Sequence, residues 1–271
     1  MPTDPTSRHP AHADPLLPGA PDPGDVYLAP HSDDVCFSLG AFVHARQAGT
    51  LLTVFPRSGY HVPAGPGAPA SIEEVTRMRV AEDARFARAC GLRAAYLGFT
   101  AAGARGGEQP FDAHRAPEVA GRITRPLLAA LMGPTIGRVP GAGPLLACPA
   151  GIGGHVDHVA VRLVVLRHLR LLEPWYRIGF YEDLHYASDA RRRAAGLEAL
   201  RQALPGRRLL RCVAPLDAGA QSLKMRLVAL HASQLTGRLR APHAFTPATP
   251  RPSAPHEALW MLQPARHQSS G

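Results

Sequence analysis

Val26-Tyr27-Leu28-Ala29-Pro30-His31-Ser32-Asp33-Asp34 decides the reading of this chain: a short apolar run, a proline that ends it, and a His/Asp cluster just beyond. The arrangement recurs at Leu145-Leu146-Ala147-Cys148-Pro149, which leads into His155-Val156-Asp157-His158. Short apolar runs bounded by turn residues read as buried strands, and strand ends in parallel α/β sheets are where sites form. The two clusters therefore read as the halves of one divided metal site.

Catalytic zinc takes three ligands of the His/Asp/Glu/Cys type and keeps a fourth position for water. His31, Asp34 and His158 fit that requirement, because a spacing of three lets His31 and Asp34 face one ion if the turn is helical. Asp33 then points elsewhere, as a carboxylate placed to take a proton from the attacking water. In the second cluster His155 and His158 are also three apart, so one can bind metal while the other meets substrate, and Asp157 can orient either ring. A lone His or Asp at a helix start is ordinarily an N-cap. Two such clusters, each between an apolar run and an amphipathic segment, are hard to obtain from capping alone.

Outward from these clusters the pattern alternates. A strand at 26–29 leads to a helix at about 34–48, closed by Gly49. A strand at 51–55 leads through a Pro/Gly loop to a helix at 71–90, whose Ser71 and Glu74 match a capping box. Strands at 94–97 and 145–148 each precede a further helix, at 117–132 and 158–172, and the runs 177–182 and 209–214 extend the sheet. Such alternation predicts an α/β fold, a mostly parallel sheet with helices on both faces.

The two clusters resemble the signatures of the PIG-L/LmbE-like family of zinc-dependent N-acetylglucosamine deacetylases. Arg79-Val80-Ala81-Glu82, Tyr181-Glu182-Asp183-Leu184-His185-Tyr186, and Lys224 with His231-Ala232-Ser233-Gln234 are similar to further elements of that family. The resemblance covers residues 26–235 and implies a Rossmann-like three-layer sandwich. It also implies zinc on His31, Asp34 and His158, with Asp33 as general base. His155, oriented by Asp157, then faces the developing oxyanion or the leaving amine. The family commonly has Pro where Ser32 and Val156 stand, and Glu where Val35 stands. These departures spare the ligands and point away from the mycothiol pathway toward secondary metabolism. The implied substrate is a glycoconjugate carrying N-acetylglucosamine, such as a teicoplanin-type glycopeptide pseudoaglycone or an aminoglycoside precursor. A thiol-conjugate amidase and a non-enzymatic basic binding protein are the alternatives.

Composition bounds the rest. The 271 residues, 45% hydrophobic, suffice for one large domain, read as 26–245 between a Pro-rich arm at 1–25 and a Pro-rich, irregular tail at 246–271. His9 and His12 belong to the arm and are not ligands. The net charge of +9 does not mark a nucleic-acid partner, because Lys224 is the only lysine and the Arg excess accompanies abundant Ala, Pro and Gly. Arg191-Arg192-Arg193 and Arg207-Arg208 read as solvated faces. Cys36, Cys90, Cys148 and Cys212 lack Cys-x-x-Cys spacing and read as buried thiols of a cytoplasmic protein. No segment is suited to membrane insertion. The Gly-rich stretches 56–70 and 98–116 read as binding loops around the metal. Tyr60, Phe99, Phe111 and Trp175 are candidates for substrate contact or for packing. Gly151-Ile152-Gly153-Gly154 lacks the dinucleotide spacing, and its role is to let backbone approach the site closely.

Overall fold

Every second side chain of the first strand enters a different core. Val26 and Leu28 join the apolar cluster on one face of the sheet, Tyr27 and Ala29 the cluster on the other, and the 145–149 strand divides in the same way. A strand covered on both faces reads as an unbroken apolar run, which is why these two segments stand out in the sequence. The structure is a computed structural model and describes residues 21–62, 71–133, 143–249 and 254–264. The arm up to residue 20, with His9 and His12, lies outside the described residues, as do 63–70 of the first loop and 265–271 of the tail.

The strands are β1 (Val26–Ala29), β2 (Thr50–Thr53), β3 (Arg93–Tyr96), β4 (Leu145–Pro149), β5 (Arg177–Tyr181), β6 (Leu209–Pro215) and β7 (His256–Leu262). They form one sheet in the order β3-β2-β1-β4-β5-β7-β6, parallel from β3 to β5, with β7 antiparallel to both of its neighbours. The helices are α1 (Asp34–Arg46), α2 (Ile72–Ala89), α3 (Ala116–Met132), α4 (Val156–Arg167), the short α5 (Leu169–Leu172), α6 (Ala190–Gln202) and α7 (Ala218–Val228). Phe37 and Val43 of α1, Phe86 of α2 and Leu227 of α7 cover one face. Ile123 and Leu127 of α3, Val161 and Val164 of α4, and Leu197 of α6 cover the other. The expected three layers are present, as is the capping box, with Ser71 and Glu74 exchanging bonds at the start of α2.

Two expectations need correction. The first helix ends at Arg46, two residues short, because Gln47 itself takes the left-handed conformation at φ 50°, and Gly49 serves to pass close over Asp25. The domain does not end at 245 with an irregular tail. His256-Glu257-Ala258-Leu259-Trp260-Met261-Leu262 is an inner strand hydrogen-bonded on both edges, and Glu257 accepts the free Ala41 and Phe42 amides of α1 and the buried Lys224 ammonium. The surrounding prolines masked this seven-residue stretch, which contains none and so can donate to both neighbours.

The chain runs from β1 outward to β2 and β3, and then returns to place β4 on the opposite side of β1. The connections after β1 and β4 therefore diverge and leave a crevice at the carboxyl ends of the strands. His31 follows the first of these strands and His155 and His158 follow the second, so clusters far apart in the chain meet there.

Candidate metal centre

The β1 to α1 turn delivers His31, Asp33 and Asp34. Asp34 begins α1 and its carboxylate turns back to accept the His31 amide at 2.7 Å. The same Asp34 Oδ2 lies 3.2 Å from His31 Nδ1 and 3.3 Å from His158 Nε2. Donor atoms on a tetrahedron with bonds of about 2.0–2.2 Å are themselves roughly 3.3–3.6 Å apart, so this spacing suits a single small cation.

The far side of each ring is engaged. His158 Nδ1 meets Asp183 Oδ1 at 2.7 Å, and His31 Nε2 meets Asp157 Oδ2 at 2.9 Å. A proton held on those outer nitrogens leaves the inner lone pairs facing Asp34, the arrangement that metal-ligating histidines take. Three carboxylates thus surround two imidazoles. Burial disfavours charge on Asp34, yet His158 and His31 outweigh it and hold its carboxyl well below the usual range. Burial likewise opposes charge on His158 and is outweighed by Asp34 and Asp183, which push the ring well above its ordinary value. A site that attracts protons so strongly attracts a cation for the same reason.

The nitrogens of His31, His155 and His158 also lie within 4.8 Å of one another. His155 differs from the other two in its partner. It is the N-cap of α4, where Nδ1 accepts the Asp157 amide at 3.3 Å, leaving Nε2 as the protonated nitrogen. Its ring is pushed down to about 2 by burial and by the neighbouring His31 and His158. Asp157 does not orient this ring with its carboxylate, contrary to expectation. That carboxylate is spent on His31, on the Ala102 amide at 2.9 Å and on Arg105 at 2.7 Å.

Asp33 lies on the wall of a cavity of about 350 Å³ that opens over these residues. Its Oδ1 is held at 2.6 Å by Arg79 of α2, which also reaches Ser58. Two of the four aromatic candidates, Tyr60 and Phe111, line the cavity, whereas Phe99 and Trp175 pack against the core. Gly153 has φ +92°, and a Cβ there would lie 2.5 Å from the ring of Tyr186, another cavity residue, so the expected close approach is real. The arginine runs are solvated at Arg191, Arg192 and Arg208, as expected, but Arg193 binds Glu182, Arg192 also borders the cavity, and Arg207 binds Glu173. Sequence reasoning assigned no role to Asp183, Arg105 or Arg192. Asp183 had a usable signal, since it follows β5 as the other clusters follow β1 and β4.

Sheet, switch point and converging His/Asp cluster define the class as an α/β enzyme with a candidate metal centre, and comparison with known proteins narrows it. A 2'-N-acetylparomamine deacetylase of Streptomyces fradiae is 34% identical over 268 residues, covering 89% of this chain and 90% of that protein. A solved deacetylase of teicoplanin biosynthesis matches with a TM-score of 0.60 at 20% identity, over 88% of this chain and 97% of its own. The A40926 pseudoaglycone deacetylase matches with a TM-score of 0.57 at 20% identity, over 90% and 98%. No protein-family model matches the chain. The chain belongs to this deacetylase family and is an N-deacetylase, an enzyme of amide hydrolysis. The non-enzymatic reading falls.

Proposed function

We propose that this deacetylase is zinc-dependent and removes the acetyl group from an N-acetylglucosamine unit of a secondary-metabolite glycoconjugate. The observation that carries the reading is the convergence of His31 Nδ1, Asp34 Oδ2 and His158 Nε2 beneath a cavity whose wall holds Asp33. Zinc bound there would bring the pKa of its water toward about 7 and polarise the amide carbonyl.

The chain's own residues supply the remaining chemistry. Asp33 accepts the proton of the attacking water and returns it to the departing nitrogen, so that acetate and a free amino sugar leave. Arg79 holds that carboxylate on the cavity wall. His155, with its proton on Nε2, donates to the carbonyl oxygen as it gains charge. Tyr60 and Phe111 offer apolar faces to the substrate at the mouth.

The aglycone reading rests on charge. Among the described cavity residues the only carboxylates are Asp33 and Asp34, both committed, while Arg192 contributes a guanidinium that no described carboxylate pairs with. This wall suits a neutral or anionic aglycone, as in a glycopeptide pseudoaglycone. The 34% identical relative favours a second reading, an aminocyclitol-bearing precursor of the paromamine kind. Cys36, Cys90 and Cys148 are buried thiols outside any disulfide, which supports a cytoplasmic setting. Among the described residues no helix is long and apolar enough to cross a membrane.

Acetate release from a panel of N-acetylglucosaminyl substrates, with and without a chelator, tests the proposal. Zinc-restored turnover is expected, faster on the glycopeptide than on the aminocyclitol substrate. Release that survives full chelation overturns the zinc mechanism, and a preference for the cationic substrate overturns the aglycone assignment.

A further inference from the structure

The loop after β3 does more than border the cavity. Arg105 spreads its guanidinium over three partners: Nη1 donates to the Thr100 carbonyl at 2.7 Å, Nη2 to Asp157 Oδ1 at 2.7 Å, and Nε to Glu108. The guanidinium also stacks 5.4 Å from the centre of the Phe55 ring. From the same loop Ala102 donates its amide to Asp157 Oδ2 at 2.9 Å, and Pro110 accepts the Val156 amide at the start of α4 at 2.8 Å.

Asp157, wholly buried, is thus gripped on both oxygens by this loop, and the remaining capacity of Oδ2 goes to His31 Nε2 at 2.9 Å. Asp157 is placed by α4 but works on a ring that follows β1, across the crevice. What fixes the angle of its carboxylate is the loop.

We infer that Arg105 is a positioning residue for metal binding: by clamping Asp157 it holds the proton of His31 on Nε2 and so keeps the Nδ1 lone pair aimed at the metal position. The inference rests on the zinc reading above. It makes the 98–116 loop a component of the ligand set and gives its arginine a role distinct from substrate contact. A planar fork is needed, because a lysine at 105 reaches one of the three acceptors at a time. Partners of a ligating histidine typically contribute about 10–100-fold in metal affinity.

The test is zinc affinity by chelator competition on the full chain, without substrate, in wild type, Arg105→Gln, Arg105→Lys, Asp157→Asn and the double variant Arg105→Gln/Asp157→Asn. Arg122→Gln, on α3 and paired with the exposed Glu118, is the control. Arg105→Gln is expected to bind about 10–100-fold more weakly, Arg105→Lys to recover part of the loss, the double variant to match Asp157→Asn, and the control to match wild type. Long-range proton–nitrogen spectra of the zinc-loaded protein should show a single His31 ring species with its proton on Nε2 in wild type and a second ring species in Arg105→Gln, a change that loop loosening alone does not produce. Wild-type affinity in a folded Arg105→Gln, or an unchanged His31 signature in that variant, overturns the role of Arg105. A wild-type chain that takes up no zinc overturns the metal reading beneath it.

Discussion

Arg79 Nη2 stands 2.6 Å from Asp33 Oδ1, so a guanidinium from α2 holds the carboxylate that faces the cavity while its neighbour Asp34 turns the other way, toward His31 and His158. Adjacent aspartates on a helical turn point about 100° apart. Their roles are therefore separable. Asp33→Asn is expected to keep the fold and the zinc while slowing acetate release by roughly 10²–10⁴-fold, the usual worth of a positioned acid or base. Zinc content and turnover measured on one preparation decide the matter, and near-normal turnover in a zinc-replete variant refutes the base assignment.

The ligand set makes a second division. His158→Ala and Asp34→Asn each remove a donor from the converging trio and should lose tight zinc binding, with added zinc restoring part of the activity of Asp34→Asn. His155→Ala should retain the metal and lose turnover. Elemental analysis showing full zinc in the His158 variant and loss in the His155 variant reverses the assignment and makes His155 the ligand, whereas loss in both variants favours the three-imidazole arrangement.

Gly153 tests the backbone beneath the cavity. Its φ is +92°, and the ring of Tyr186 lies 2.5 Å from the point a Cβ would occupy, so Gly153→Ala meets both backbone strain and a ring that must move. A loss of roughly 1–3 kcal/mol is expected, read as a lower denaturation midpoint, together with weaker substrate binding as Tyr186 is displaced. An unchanged midpoint would mean the 151–154 segment is more pliant than its geometry implies.

A buried acid outside the ligand set gives the pH dependence. Asp83 of α2 accepts the Thr53 hydroxyl at 2.8 Å, and burial, aided by nearby Asp33, pushes its carboxyl up to about 8. The folded state then binds one more proton than the unfolded chain between an ordinary carboxyl value of about 4 and that raised value. Stability from this group is present at the acid end and is lost as pH rises through the window. Asp83→Asn should flatten the slope, so that urea midpoints at about pH 6 and about pH 8 lie closer together than in wild type. Parallel slopes in the two proteins would show that Asp83 ionises freely when folded.

The arginine excess makes a final prediction. Arg46, Arg79, Arg105, Arg193 and Arg207 are all taken up by carboxylates within the chain. Association with duplex DNA should accordingly be weak, salt-sensitive and without sequence preference in mobility-shift titrations. Tight, selective binding at physiological salt would show a second function.

Sequence alone determined what depends on local chemistry. Strands buried on both faces must be continuously apolar, which made β1 and β4 legible, and metal ligands must be His or Asp at close spacing, which made the two clusters legible as one site. The capping box at Ser71 rested on side chains three residues apart and was equally visible. Tertiary structure decided whatever depends on distant neighbours. Residues 256–262 are a strand because β5 and β6 leave a gap with free amides and carbonyls on both sides, and nothing in that stretch announces its partners. Asp157 serves His31 and not His155 because the loop at 102–105 reaches its carboxylate first, while His155 is turned to cap its own helix. Asp183 became a partner of His158 only when β5 was laid beside β4. Each of these choices is a competition for a hydrogen bond among groups far apart in the chain, and only the folded geometry settles which group is near enough to win it.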